Sequence, residues 1–391
     1  MKERAIKVES NPLLRALVVG GITRNPLLLP GTRKRVIFCS AKAIQLNAPL
    51  SFGSDALLAL AALLRQPAVS RVLVLTDSNT SRLCYPLLLP HLPEDHKLIE
   101  IPAGEEYKTL ATCENVWNCL TEYRTDRFGV LVNLGGGVVT DLGGLCAALY
   151  KRGIRCMQVP TTLLAQVDAS VGGKTGVDFQ NFKNQLGVFQ EPAGVFIDPA
   201  FLGTLDPRQL KSGYAEIVKH WLIADAAAFE QQRRQGLFVD DWTPIIRESV
   251  ATKQRIVEAD PLESGLRKIL NFGHTVGHAL ESYLLGQPSR EVLHGEAIAA
   301  GMVCESWLAV QKGLLSPEEL DKIETFIFSV YEKIHFVTLE TDAIAELALQ
   351  DKKNVGSTIN CTLLQSIGHA VYDQPVTLAE LAESLRYYHR L

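Results

Sequence analysis

Gly129-Val-Leu-Val-Asn-Leu-Gly-Gly-Gly-Val-Val-Thr-Asp-Leu-Gly-Gly144 is a short apolar run that breaks abruptly into glycine. The run reads as a buried strand, and the glycines after it let backbone N–H groups approach a pyrophosphate, with the following helix start adding its positive dipole end. The pattern is not G-x-G-x-x-G, because Thr140 stands where the third glycine would be, and it comes late rather than after the first strand. A tight turn required by packing explains the same glycines. The stretch therefore establishes a strand-loop-helix unit and leaves its ligand open.

Outward from this unit the same alternation repeats. Val72-Leu-Val-Leu-Thr76 reads as a strand ending in the polar turn Asp77-Ser-Asn-Thr80, Lys108–Tyr123 as a helix, and Arg155–Val159 and Gly194–Asp198 as further strands. Short β-rich runs alternating with helices predict βαβ units, a mainly parallel sheet, and ligands at the carboxyl ends of its strands. Residues 1–34 carry no sustained periodicity and stand as an unassigned N-terminal extension. After Pro199 the periodicity becomes helical over Pro207–Gln235, Thr243–Ala259, Leu266–Tyr283, Val292–Lys312 and Pro317–Tyr331. The expected plan is an α/β, Rossmann-like nucleotide-binding domain over 35–200 and an all-α domain over 201–391, with a ligand in the crevice between them.

The 391 residues are 47% hydrophobic and 21% charged, ample for a large core with little disorder. A net charge of −4 offers no general attraction to nucleic acid or to an acidic membrane, so an anionic substrate requires a local basic cluster. The eight cysteines show neither C-x-x-C spacing nor disulfide-scaffold density, and read as reduced core thiols of a cytoplasmic protein. Arg15 interrupts the apolar run Leu13–Ile22, which argues against a signal peptide, and no apolar run is long enough to predict a transmembrane helix.

Three segments carry candidate chemistry. In Asn271-Phe-Gly-His-Thr-Val-Gly-His-Ala-Leu-Glu-Ser-Tyr283, His274 and His278 share one helix face, a spacing that suits a metal, an anion or plain packing. Gly273 and Gly277 each cost a helix about 1 kcal/mol against Ala, so they imply close approach by another element or a ligand. His294, in His294-Gly-Glu296, offers a third imidazole. Glu216 and Lys219 lie at i, i+3, commonly a surface ion pair; with His274 and His294, Glu216 would complete a Glu-His-His set that leaves a zinc position open. Pro160–Gly176, with Asp168 and Lys174 and followed by Lys183, has the polarity of a phosphate cradle without P-loop spacing. Lys219, Lys253, Arg267, Lys352 and Lys353 stand near apolar helical segments, where several would line one anion-binding crevice.

Eight motifs in one order, Pro102–Lys108, Gly135–Asp141, Pro160–Gly176, Lys183-Asn184, Ala215–Lys219, Gly265–His278, His294–Glu296 and Asp351–Asn354, resemble the 3-dehydroquinate synthase family of sugar-phosphate cyclases. The resemblance implies that family's two-domain fold. It also implies a lyase of the shikimate pathway of aromatic amino acid biosynthesis, which converts 3-deoxy-D-arabino-heptulosonate 7-phosphate to 3-dehydroquinate and phosphate with catalytic NAD and Zn2+ or Co2+. Glu216, His274 and His294 match the metal ligands, whereas His278 matches a residue on the substrate phosphate. Asp77, Glu105, Lys108, Gly136, Gly137, Asp141, Thr161, Thr162, Lys183, Thr204 and Leu205 match cofactor contacts. Lys174, Asn184, Asn271, His278 and Lys352 match substrate-phosphate and active-site contacts. Asp168, Lys219 and Lys253 match residues on the substrate hydroxyls, Arg267 the residue on its carboxylate, and Arg152 an arginine offered across a homodimer interface.

Two expectations go with the resemblance. Thr140 would add a hydroxyl and bulk near the pyrophosphate, and Gly273 with Gly277 would clear space for substrate beside the helix. Three other readings compete: a sister cyclase acting on sedoheptulose 7-phosphate, a metal-dependent polyol dehydrogenase of the glycerol dehydrogenase type, and a nucleotide-binding module without activity. The joint presence of Lys253, Arg267, Asn271 and His278 favours dehydroquinate formation.

Overall fold

The computed structural model describes residues 49–180, 182–235, 239–285, 287, 290–350 and 359–391, all within one compact unit, Ile44–Leu391. The proposed extension over 1–34 and the candidate Lys352 lie outside the described residues. The strands are β1 (Leu50–Phe52), β2 (Val72–Asp77), β3 (Lys97–Ile101), β4 (Val130–Gly135), β5 (Arg155–Pro160), β6 (Lys174–Phe179), β7 (Phe182–Phe189), β8 (Gly194–Ile197), β9 (Ile359–Ser366) and β10 (His369–Val376). The helices are α1 (Asp55–Leu64), α2 (Ser78–Leu83), α3 (Tyr85–Leu88), α4 (Leu110–Glu122), α5 (Gly137–Leu149), α6 (Pro207–Ala224), α7 (Ala226–Gln235), α8 (Trp242–Ala259), α9 (His274–Leu284), α10 (His294–Gln311), α11 (Pro317–Val330), α12 (Thr341–Leu347) and α13 (Leu378–Arg390).

Six strands form a parallel sheet in the order β1-β8-β5-β4-β2-β3. The side-chain period of two explains why β4 is apolar almost throughout. Val130, Val132 and Leu134 pack with Leu57, Leu60 and Leu64 of α1 on one face, while Leu131 packs with Cys113 and Val116 of α4 and Leu142 of α5 on the other. The polar exception, Asn133, donates to Cys156 Sγ at 3.1 Å and Gln158 Oε1 at 3.2 Å, and Gln158 in turn donates to the Thr140 carbonyl at 3.1 Å. The strand-loop-helix reading of Gly129–Gly144 is thus the observed β4, Gly136 and α5.

Two features of the second half depart from its periodicity. The run Pro207–Gln235 is two helices, because Asp225 leaves helical geometry (φ −152°, ψ 84°) and its carboxylate accepts from Ala228 N at 3.0 Å at the start of α7. The run Leu266–Tyr283 is a 3-10 turn over Leu266–Asn271 followed by α9, broken at Gly273 in the left-handed region (φ +77°). The otherwise helical half also holds an antiparallel hairpin, β9 with β10, and the segment after Gly172-Gly173 forms a second hairpin, β6 with β7. No helix among the described residues is long and apolar enough to cross a membrane.

Candidate active site

Helix α6 starts at Pro207, with the Asp206 carboxylate accepting from Arg208 N at 2.8 Å, and its residues Ser212–Ile223 are all buried. Glu216 is therefore interior, at 1% exposure. One of its carboxylate oxygens, Oε2, accepts from Lys219 Nζ. The other, Oε1, is buried without a hydrogen-bond partner and lies 3.6 Å from His274 Nε2 and 3.7 Å from His294 Nε2. His274 Nδ1 donates to the Phe272 carbonyl at 3.0 Å and His294 Nδ1 to Glu281 Oε2 at 3.2 Å, so both rings present Nε2 to Glu216. Glu305, fully buried, accepts from the backbone N–H of Gly273, Thr275 and Val276 and anchors the start of α9 that carries His274.

Charge distribution follows from burial and neighbours. Burial works against ionisation of Glu216, but Lys219 and His274 outweigh it and hold the carboxyl well below the usual range. Burial, reinforced by Lys219, pushes His274 down to about 3. His294 is also penalised by burial, yet Glu281 and Glu216 push it up to about 9. An orphaned carboxylate oxygen facing two imidazole nitrogens is a donor set that fits a divalent cation. The three imidazoles of His274, His278 and His294 also bring ligand atoms within 4.8 Å of one another, as do Asp168, Glu216 and His220. In the second trio Lys219 and Lys253 already take the space beside Asp168, at 3.9 and 2.8 Å, which disfavours a cation there.

Asp168 sits in a wide, π-type turn over Ala165–Ala169, a local irregularity that turns its side chain toward α6 and α8. Burial opposes its ionisation, but Lys253 and Lys219 hold it below the usual carboxylate range. His220 Nε2 lies 3.8 Å from the same carboxylate, with Nδ1 at 2.6 Å from Ser249 Oγ. Lys174 and Asn271 meet on Glu263, which takes Lys174 Nζ at 2.5 Å on Oε2 and Asn271 Nδ2 at 3.0 Å on Oε1. Arg267 is buried; Nη1 and Nη2 donate to the Pro261 and Gly172 carbonyls at 2.7 and 2.8 Å, while Nε has no partner.

On the α/β side, Lys108 Nζ donates to Asp141 and to Asn184 Oδ1, each at 2.7 Å. Asn184, expected on the substrate, thus shares Lys108 with Asp141, one of the expected cofactor residues. Lys183 Nζ lies 2.6 Å from Glu281 and 3.4 Å from Glu105. Asp77 caps α2 through Asn79 N and Thr80 N at 2.9 and 2.8 Å. Gly136 and Gly137 open α5, and a Cβ at 137 would meet only Ala169 Cβ, at an ordinary contact distance of 3.7 Å. Thr162 Oγ1 accepts from Ala165 N, the Thr161 N–H donates to the Gly135 carbonyl, and Thr204 Oγ1 donates to the Phe201 carbonyl; Leu205 follows directly. Arg152 is exposed beyond α5, in left-handed geometry (φ +64°).

Two expectations are overturned. Thr140 is buried, and its hydroxyl donates to the Gly136 and Gly137 carbonyls of its own helix turn, so it is engaged within the loop and not offered to a ligand. Gly273 and Gly277 leave room for α10, not for substrate. A Cβ at 277 would lie 2.8 Å from Ile298 Cδ1 and 3.0 Å from the Ala297 carbonyl oxygen, and one at 273 would lie 2.6 Å from Met302 Cγ. Four site residues carry no sequence motif of their own: His220, Glu263, Glu281 and Glu305. Only Glu281 had a usable signal, lying three residues after His278 on the same helix face.

The chain matches the family profiles described as 3-dehydroquinate synthase N-terminal over residues 98–212 and 3-dehydroquinate synthase C-terminal over residues 213–354. It is 41% identical over 323 residues to the 3-dehydroquinate synthase of Parabacteroides distasonis, covering 81% of this chain and 91% of that one. Against the 3-dehydroquinate synthase of a Sulfurovum species it is 41% identical over 301 residues, covering 76% and 85%. Among solved structures, the 2-epi-5-epi-valiolone synthase of Streptomyces hygroscopicus subsp. jinggangensis, with NAD+ and Zn2+ bound, superposes with TM-score 0.76 at 29% identity over 88% of this chain and 98% of that one. A glycerol dehydrogenase from Schizosaccharomyces pombe shares the fold, with TM-score 0.58 at 15% identity over 88% and 89%. The chain belongs to the 3-dehydroquinate synthase family.

Proposed function

We propose that the protein converts 3-deoxy-D-arabino-heptulosonate 7-phosphate to 3-dehydroquinate and phosphate, using NAD catalytically and a divalent cation held by Glu216, His274 and His294. The observation that carries the reading is the orphaned Glu216 Oε1 between two Nε2 atoms at 3.6 and 3.7 Å. When bound, NAD supplies reversible hydride exchange and the cation polarises substrate hydroxyls. Asp168, kept ionised by Lys253 and Lys219, accepts from those hydroxyls and fixes their orientation. The phosphate falls to Lys174, Asn271 and His278, whose first two donors already converge on the Glu263 carboxylate, an internal anion at the place where a second anion would bind. The unpartnered Arg267 Nε suits the substrate carboxylate. Lys108 and Asp141 belong with NAD at the opening of α5. The division at residue 200, a homodimer that uses Arg152, and a cytoplasmic location are part of the same proposal.

One observation favours a sister cyclase, the structural likeness to the valiolone synthase at 29% identity. The test is to supply the purified protein with each sugar phosphate, substoichiometric NAD+ and Zn2+, and follow phosphate and NADH. The expected result is phosphate release from the heptulosonate phosphate without net NADH, lost on chelation and in Glu216→Ala. Turnover by fully metal-free protein overturns the metal assignment, exclusive use of sedoheptulose 7-phosphate moves the chain to the sister cyclases, and stoichiometric NADH makes it a dehydrogenase.

A further inference from the structure

Glu281 lies on α9 two turns beyond His274 and is 6% exposed. Its two oxygens serve two different parts of the site. Oε2 takes the Nδ1 proton of His294 at 3.2 Å, and Oε1 takes Lys183 Nζ at 2.6 Å. Lys183 comes from β7 and is shared with Glu105, which precedes α4, at 3.4 Å. An unbroken series Glu105–Lys183–Glu281–His294 thus runs from two residues on the cofactor side to one imidazole of the metal set.

The two imidazoles of that set are not held alike. His274 Nδ1 is fixed by the Phe272 carbonyl two residues earlier, a contact that local backbone geometry alone maintains. His294 Nδ1 is fixed by a side chain, and a carboxylate has only acceptors, so Nδ1 must carry a proton, and Nε2 is the nitrogen turned to Glu216 Oε1, where a cation would take the place of a proton. The carboxylate is in turn divided between His294 and Lys183.

We infer that Glu281 is the positioning residue for His294 and couples occupancy of the metal site to occupancy of the dinucleotide site through Lys183. The inference rests on the ligand set proposed above. A dinucleotide that engages Lys183 draws the ammonium from Glu281, whose charge then acts more fully on the imidazole and makes it a stronger donor to a cation. Divalent metal and dinucleotide therefore bind with positive cooperativity, and by linkage each tightens the other by the same factor.

The test measures Zn2+ affinity of the full-length protein by competition with a colorimetric chelator, with and without saturating NAD+ and with no sugar phosphate, so that nothing turns over. In the wild type NAD+ should tighten Zn2+ by at least about fivefold. Glu281→Gln should weaken Zn2+ by roughly 10- to 100-fold and remove the effect of NAD+ on it. Wild-type Zn2+ affinity in folded Glu281→Gln, or an undiminished NAD+ effect in it, overturns the inference. Should Gln at this buried position prevent folding, Glu281→Asp keeps the charge near Lys183 but withdraws it from His294, and wild-type Zn2+ affinity there overturns it equally. His294→Ala in the same assay separates the two readings. Loss of Zn2+ in His294→Ala with retention in Glu281→Gln sinks the role of Glu281 alone, whereas retention in both sinks the ligand set as well.

Discussion

Gly301 on α10 faces the carbonyl oxygen of Gly273 and the backbone N of Gly277 on α9, with a Cβ at 301 lying 2.8 Å from that nitrogen and closer still to the oxygen. Gly301→Ala therefore cannot be accommodated by a side-chain rotation, because both obstacles are backbone. Restoring an ordinary contact of about 3.5 Å to the carbonyl oxygen requires the two helices to part by about 1.5 Å. Overpacking of this kind costs about 1–3 kcal/mol, and the rigid obstacles place it at the upper end; the better helix propensity of Ala returns about 1 kcal/mol. The expected net loss is about 2 kcal/mol, read as a lower urea midpoint at unchanged slope. His274 begins α9 and His294 begins α10, so the same displacement should also weaken Zn2+, since metal distances tolerate only about ±0.2 Å. Gly203→Ala, where nothing lies within 4 Å, serves as the neutral control. A Gly301→Ala protein that unfolds within ~0.5 kcal/mol of wild type would refute the reasoning.

Glu305→Gln replaces two accepting oxygens by one where Oε2 serves Gly273 N and Oε1 serves Thr275 N and Val276 N. Hydrogen bonds to a charged group are worth about 1.5–3 kcal/mol, so a loss of about 2 kcal/mol in urea unfolding is expected, and an unchanged midpoint contradicts it. Glu340 tests pH dependence: its hydrogen bond from Arg290, with help from the Val337 N–H, lowers the carboxyl from 4.5 to about 2. A depressed folded-state value means stability that is complete above 4.5 and fades as pH falls from there toward 2. The stability gap between wild type and Glu340→Gln should accordingly be constant from pH 7 to about 5 and shrink below it. A gap that widens on acidification would contradict the assignment.

The α/β half was legible because its information is local. Val130-Leu-Val followed by three glycines specifies strand and turn within eight residues, and the same signal recurs along the chain. The helical half was legible in its helices and not in their interruptions: Gly273 breaks a run whose apolar spacing continues across it, and the β9–β10 hairpin follows the last helical signal that periodicity could use. Within the site, residue types were legible where a motif carried them, and pairings were not. Lys183 meets Glu281 across 98 positions and Lys174 meets Glu263 across 89, separations over which spacing carries no information.

The histidine pair shows why this matters for chemistry. Spacing establishes only that His274 and His278 share a helix face, and their rings indeed lie 5.1 Å apart. Choosing between them needs a third group from another helix. Glu216 comes from a segment 58 residues before His274, where i, i+3 spacing with Lys219 suggests nothing beyond a surface ion pair. Burial changes that meaning. At 1% exposure each, Glu216 and Lys219 cannot be a solvated pair, and a buried carboxylate with one oxygen satisfied and one orphaned carries a desolvation penalty of about 1–3 kcal/mol that a bound cation would remove. The orphaned oxygen faces His274 and His294, and it is this unmet demand, rather than the spacing of the histidines, that singles out His274 over His278 for the proposed cation.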